Sequence, residues 1–543
     1  MRTLYRAARV HLADPGQPVA DAVLVDGGTI TWIGPARGTS GGTVSRPAGG
    51  TAGGLAELPG GPPDAVVELP GTLLAPAFVD AHVHVTETGL ALDGIDLGSA
   101  RSVAEVLALV EAAARTRRGR PVLGHGWDED RLAEGRPPTR QELDRAAAGG
   151  SVYLSRVDVH SAVVSTALAV TSGAQQLDGW DDSGRVERDA HHGVRATTRT
   201  ANPAATVRDL QRLALRAAAA AGIAAVHEMS APHIASEQDL AQLLALSADA
   251  GERLPRVVAY RGELVATVEQ AEARLAALPG PIAGLAGDLC VDGSVGSRTA
   301  AFHDPYADAP QSRGHLYLDA DQVRDHVEAC TRAGVQAGFH VIGDAAVDAA
   351  LRGIRRAAER VGIAAVRAAR HRLEHLEALG ARQVAEVADL GLTASVQPAF
   401  DAAWGGGSGM YAERLGAARA LGMNPFAGLA AAGVRLALGS DSPVTPFDPW
   451  GAVHAAVRHH VPEHRIPAPV AFLAHTRGGW QAAGRMAADA SGTLAMGAPA
   501  TFAAWSLAAG DPLADLVRPQ CLLTVLDGRV LYDPEGLAGP VAG

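Results

Sequence analysis

Two histidines, His82 and His84, stand two positions apart in the run Asp80-Ala81-His82-Val83-His84, directly after the apolar Ala77-Phe78-Val79. On an extended backbone, residues i and i+2 share a face, with Cβ atoms about 6–7 Å apart. At the end of a buried strand, two imidazoles so placed can chelate one divalent metal. Three more residues sit in matching contexts. His340 closes Gln336-Ala337-Gly338-Phe339-His340, His375 closes His371-Arg372-Leu373-Glu374-His375, and Asp441 follows Leu436-Ala437-Leu438-Gly439-Ser440. Each alone reads as readily as ordinary structure. Together they give four histidines and one aspartate at the ends of four strands, a donor set suited to a divalent cation such as zinc.

The elements that must position these residues are strands alternating with helical segments, which implies a parallel sheet. Candidate strands lie near 77–82, 222–228, 255–261, 286–292, 336–341, 371–376, 392–397 and 434–440. Eight such units predict a (β/α)8 barrel, an α/β fold whose chemistry sits at the C-terminal strand ends. The first two candidates are too far apart for one crossover, so an insertion at about 90–200 is expected, placed to cover the barrel mouth. Short strands with turn signals recur at both chain ends, among them Ala22-Val23-Leu24-Val25 and Leu522-Leu523-Thr524-Val525-Leu526-Asp527-Gly528. They predict one small β-sandwich module from 1–74 and 493–543, with the barrel at 75–492. The stretch 36–64 is rich in Gly, Pro, Ser and Thr and reads as a surface loop.

Composition narrows the possibilities. The chain has 543 residues, 47% hydrophobic and 20% charged, as expected of a globular protein rather than a disordered one. A net charge of −12 argues against nucleic acid or an anionic membrane as partner. Three scattered cysteines, Cys290, Cys330 and Cys521, make no disulfide framework, and neither a signal-peptide core nor a membrane-length apolar run is evident. The expectation is a cytoplasmic protein acting on a small molecule. All 47 basic residues are arginine, so no step can use a lysine amine.

The motif set resembles the amidohydrolase superfamily, in the branch of the N-substituted formamide deformylases. The matching segments are Phe78-Val79-Asp80-Ala81-His82-Val83-His84, Gly126-Trp127-Asp128-Glu129, Asp292-Gly293-Ser294-Val295-Gly296-Ser297-Arg298-Thr299-Ala300, His340-Val341-Ile342-Gly343-Asp344, Arg372-Leu373-Glu374-His375, Gln397-Pro398 and Gly439-Ser440-Asp441-Ser442-Pro443. The resemblance spans nearly the whole chain. It implies that His82, His84, His340, His375 and Asp441 serve a metal site. Many members add a carbamylated lysine on strand four, bridging two metals; the equivalent position is Asp288, and a lysine-free chain offers no carbamate. Three arrangements remain open. One metal can be held by His82, His84, His340 and Asp441, leaving His375 for substrate; this is the favoured one. Asp288 can bridge two metals, although its carboxylate is expected to reach several ångströms less far. Cys290 or Asp292 can contribute, on the same strand face and about 7 and 13 Å nearer the strand end.

What the resemblance implies for activity is hydrolysis of a non-peptide carbon–nitrogen bond, here a linear amide such as an N-substituted formamide or N-acyl amine. Metal-activated water would attack with Asp441 as general base, and His375 or a second metal would polarise the electrophile. Substrate contacts are expected from Trp127, His160, Arg298 and Tyr306. Ser165 stands where a substrate-proximal Asn is usual, His227 is expected behind the ligands, and His191-His192 and His459-His460 are expected to be exposed. A cyclic amide hydrolase or deaminase is the alternative, and a catalytically silent scaffold a third reading. A homodimer is compatible with all of these.

Overall fold

The computed structural model describes residues 1–12, 20–35, 58–116, 121–200, 204–484 and 491–538. Most of the Gly- and Pro-rich stretch, 36–57, lies outside the described residues. Parallel strands covered on both faces read as unbroken apolar runs, and eight of them assemble here. Phe78–Val83, Ile223–Ser230, Arg256–Arg261, Gly284–Leu285, Gln336–Val341, Arg372–His375, Thr393–Val396 and Arg435–Leu438 follow one another in that order, each pair parallel. The last turns back on the first: Asp441 N–H donates to the His82 carbonyl at 2.8 Å and His84 N–H to that of Ser442 at 3.0 Å. The sheet thus closes as a (β/α)8 barrel, and the same two bonds put His82, His84 and Asp441 side by side. Helices cover the outside; Asp344–Val361 buries Ala346, Val347, Ala350, Leu351, Ile354 and Ala357, a three-and-four spacing along one face.

Strand four departs from expectation. It is two residues long, at Gly284–Leu285, not a strand across 286–292. Gly287, at φ +91°, ends it, and a Cβ there would meet Met229 Sδ at 2.9 Å. Downstream the chain lies as a loop along strand five, with Val291 N–H donating to His340 O at 3.0 Å and His340 N–H to Leu289 O at 3.2 Å. Asp288, Cys290 and Asp292 therefore share no strand face.

Strands from both chain ends join one seven-stranded sheet, in the order Arg529–Tyr532, Cys521–Leu526, Phe502–Ser506, Ala65–Pro76, Arg2–Val10, Ala20–Asp26, Thr29–Gly34. Its edge strand Thr29–Gly34 meets the segment leading into Phe502–Ser506 through Ile30 N–H to Ala498 O (2.9 Å), with Ala500 N–H to Gly28 O (2.8 Å) beside it, enclosing a core that includes Tyr5, Val23, Val67, Phe502 and Leu523. Ala65–Pro76 leads straight into the first barrel strand. Aromatic edges lock the two parts, Phe78 lying 5.6 Å from Trp505 and 5.1 Å from Trp450.

Between barrel strands one and two, a third sheet forms from Ile95–Asp96, Val122–Trp127, Val152–Arg156, Ser161–Val164 and Arg185–Glu187. The helices Arg188–Thr200 and Ala204–Ala220 return the chain to the barrel. Ion pairs clamp this insertion onto the mouth. Arg156 faces Glu129 (2.8 Å), Asp158 (3.0 Å) and Asp128 (3.4 Å), and Asp158 accepts from Ser294 (3.0 Å) and Ser297 (2.8 Å) of the loop after strand four. Arg414 adds contacts to Asp130 and Asp308, both at 3.0 Å. The Gly-Trp-Asp-Glu and Asp-Gly-Ser motifs meet in this clamp.

Candidate active site

Four side chains converge at the mouth. His82 Nε2 lies 3.4 Å from Asp441 Oδ1 and 3.4 Å from Asp288 Oδ1, while His84 Nε2 lies 3.2 Å from Asp441 Oδ1 and 3.3 Å from Asp288 Oδ2. His340 Nδ1 is 3.6 Å from Asp288 Oδ1, and the His375 ring is centred 4.8 Å from that of His82 and 4.4 Å from that of His340. Every one of these histidines and Asp441 is buried. The aspartate just after the shortened strand four thus reaches the cluster, because the left-handed turn at Gly287 ends the strand before Asp288. Cys290 lines the same cavity, half-buried, its thiol donating to the Asp288 carbonyl at 3.6 Å. Asp292 does not join the cluster. Its carboxylate accepts the backbone N–H groups of Ala301 (2.8 Å), Ile342 (2.9 Å) and Gly343 (2.8 Å) and holds the loop in place.

Neighbours set which nitrogen each ring presents. His82 Nδ1 hydrogen-bonds Glu374 Oε2 at 3.0 Å, leaving Nε2 to the cluster. Glu374 is gripped by Arg372 through bonds of 2.8 and 3.0 Å. Arg372 also donates to His227 Nδ1 and the Ala81 carbonyl, both at 2.8 Å, and lies 4.5 Å over the Tyr260 ring. This Tyr260–Arg372–Glu374 stack fixes His82 from behind. His375 Nδ1 bonds Gln397 Oε1 at 2.8 Å, and His340 Nε2 bonds the Gly293 carbonyl at 3.3 Å. Strict alternation along strand six would send His375 away from Glu374. Left-handed backbone at His375 (φ 71°) and Leu376 (φ 47°) re-aims it, and Asp441 (φ 55°) is bent the same way.

The cluster is shaped for a cation. His82 Nε2, Asp288 Oδ1 and Asp441 Oδ1 are buried without a hydrogen-bond partner, a costly state unless something binds there. His82, His84 and Asp441 bring ligand atoms within 4.8 Å of one another, the three-ligand set of a zinc site that keeps a position open, and Asp288 flanks them with Oδ1 3.4 Å from His82 and Oδ2 3.3 Å from His84. Electrostatics agree. Burial opposes a charge on His82, yet Asp441, Asp288 and Glu374 hold its pKa well above the usual value; His84, likewise buried against Asp288 and Asp441, rises to about 9. Asp288 is held well below the carboxylate range by its histidines, against the effect of burial, and Asp441 is lowered too. A field that favours protons on imidazoles favours a divalent cation equally. His375 is instead pushed down to about 3 by burial and by His340 and His82.

Of the expected substrate contacts, the structure brings only His160 to the site, its ring 5.6 Å from that of His340. Trp127 is fully buried in the insertion core and donates to the Leu154 carbonyl at 2.8 Å; its size serves packing, not a substrate wall. Arg298 pairs with Asp308 at 2.6 Å and lines a separate cavity of ≈ 560 Å³, larger than that of the cluster but lacking its residues. Tyr306 is buried and donates to the Ala300 carbonyl at 2.8 Å. Ser165 accepts from Val152 N–H at 2.9 Å within the insertion, where neighbouring backbone consumes it. His191 is buried against Tyr153 rather than exposed, and His459 is buried against Asp401, whereas His192 and His460 are exposed. Sequence reasoning missed the Arg372–Glu374 brace and the Gln397 anchor, although Arg and Glu two apart on a barrel strand share a face just as His82 and His84 do.

The cluster opens into a cavity of ≈ 270 Å³ roofed by the insertion. Known proteins resemble this chain in sequence or in fold. An uncharacterized metal-dependent hydrolase from Pyrococcus furiosus, known as a crystal structure, superposes with a TM-score of 0.71 at 26% identity, covering 94% of this chain and 100% of that one. N-substituted formamide deformylase from Arthrobacter pascens is 24% identical over 580 residues, 97% of this chain and 98% of the relative. The Arabidopsis thaliana protein LONG AFTER FAR-RED 3 is 26% identical over 498 residues, 86% and 83% of the two chains. The model of the amidohydrolase family matches residues 65–532, from the terminal sheet through the whole barrel, and the chain belongs to that family of hydrolases.

Proposed function

We propose that this protein is a metal-dependent hydrolase of linear amides, of the N-substituted formamide or N-acyl amine class, with one zinc ion held by His82, His84 and Asp441 and with Asp288 beside it. The observation that carries this reading is the convergence of these ligand atoms, with His82 Nε2, Asp288 Oδ1 and Asp441 Oδ1 among the buried atoms that have no hydrogen-bond partner. The Arthrobacter pascens relative, named for N-substituted formamides, supports the substrate class. Zinc, when bound, supplies a Lewis acid and makes water a stronger acid. The residues do the rest. Asp441 accepts the proton of the attacking water and returns it to the leaving nitrogen. His375 Nδ1 bonds Gln397 Oε1, which turns Nε2 to the cavity. There it is placed to contact the substrate amide and polarise it. The Arg372–Glu374 brace keeps His82 in one tautomer.

A second metal is the alternative arrangement, because His82, Asp288 and His375 form a further set with ligand atoms within 4.8 Å of one another. Elemental analysis of purified protein, paired with hydrolysis of N-benzylformamide, N-acetylbenzylamine and an aminated heterocycle, tests the reading. One equivalent of zinc and release of amine plus carboxylate are expected. Protein without stoichiometric metal, or ammonia release from the heterocycle in preference to amide cleavage, would overturn it.

A further inference from the structure

One helix brings a basic face to the cavity that the cluster opens into. Helix Arg188–Thr200 carries Arg188, His191, His192 and Arg195 at positions i, i+3, i+4 and i+7, a spacing that puts all four on one face. All four line the ≈ 270 Å³ cavity that also holds His84 and Asp288, and His233, from the loop after strand two, joins them with its ring 5.1 Å from that of His192. Three acids line the same cavity, Glu87, Asp288 and Asp292. Glu87 lies 3.4 Å from Arg195, Asp292 is committed to three backbone N–H groups, and Asp288 belongs to the cluster. Arg188 pairs with Asp178 at 3.2 Å, and both are exposed, a type of pair that contributes little.

We propose that the substrate carries an anionic substituent, a carboxylate or phosphate, which docks on the Arg188–His191–His192–Arg195 helix face while its amide lies at the metal cluster. The helix is part of the insertion, so the element that roofs the barrel also selects the substrate. Arginine suits this role because its planar fork can give two parallel hydrogen bonds to a carboxylate or phosphate. The inference rests on the amide-hydrolase reading only for the position of the scissile bond; the anion preference stands on the cavity wall.

The test is calorimetric binding of N-acetylglycine, its neutral amide N-acetylglycinamide and N-acetylaminomethylphosphonate to the zinc-loaded protein, repeated with Arg188→Gln and Arg195→Gln. Anions should bind at least about 10-fold tighter than the amide, and the ratio should shrink about 10-fold or more in the variants. Carboxylate against phosphonate then fixes which anion fits. Arg188 is exposed, so its variant remains informative should Arg195→Gln fail to fold. Equal binding of acid and amide overturns the proposal, as does an anion preference that both variants retain, which would place the carboxylate on the metal. Turnover of the same compounds separates the two readings. Anion-selective binding without hydrolysis leaves this inference standing and refutes the amide-hydrolase function; hydrolysis without anion selectivity does the reverse.

Discussion

Two buried polar clusters lie at the barrel mouth, and they differ in how their charges are paired. At the clamp, Arg156 sits among Asp128, Glu129 and Asp158, and Asp158 accepts two serine hydroxyls besides. At the cluster of His82, His84, Asp288 and Asp441, polar atoms converge and four of them, His82 Nε2, His84 Nδ1, Asp288 Oδ1 and Asp441 Oδ1, lack hydrogen-bond partners. Both regions are buried and charged, so neither property marks a site. Convergent lone pairs with nothing to receive them do, because a fold keeps such atoms only where a ligand compensates them.

The contrast is most exposed to failure at Asp441. Asp441→Asn should lower turnover by about 10³-fold or more, while the protein still retains metal by elemental analysis through His82, His84 and Asp288; unchanged turnover would remove Asp441 from the chemistry. Next is Glu374→Gln, which leaves the buried Arg372 without its counter-charge. Removing one partner of a buried ion pair costs about 3–5 kcal/mol, and loss of a carboxylate behind a ligand histidine weakens metal binding about 10–100-fold. Denaturant melts and competitive chelator titration read the two effects, and a variant with wild-type values in both would show that the brace is idle.

At the clamp the expected effect is smaller and purely structural. Burial tends to raise Asp158, yet Arg156, His160 and the serines hold it at about 2, below its ordinary 3.8. A depressed carboxylate stabilises the folded state above the unfolded value and loses that contribution as pH falls, so about 2 kcal/mol should fade between roughly pH 4 and pH 2. Hydrogen exchange of the insertion amides should track it, and Asp158→Asn should flatten that dependence. Smallest is Arg298→Ala, which breaks a partly exposed pair with Asp308 on the outer side. It should change stability by no more than about 1 kcal/mol and turnover within about twofold; a large loss of turnover would return Arg298 to the site.

The barrel was legible because its strands are apolar on both faces, a pattern that survives without any contact information. His82, His84, His340, His375 and Asp441 were legible because each ends such a strand. Strand four was not, since the run Leu285-Ala286-Gly287-Asp288-Leu289-Cys290-Val291 has apolar content throughout and only the left-handed turn at Gly287 decides that it stops at Leu285. Trp127, Arg298 and Tyr306 misled for a related reason: aromatic and arginine side chains suit substrate contact and scaffold packing equally, and the distinction lies in the tertiary partners, Leu154, Asp308 and Ala300. The basic helix face went unread although its spacing is regular, because only the fold shows that it looks into the cavity.

The loop at Asp288 has one more consequence. A carbamylated lysine has to capture dissolved carbon dioxide before a site built on it is complete. This chain has no lysine, and Asp288 is encoded directly in the gene, so on the proposed reading assembly of the metal centre is indifferent to bicarbonate supply.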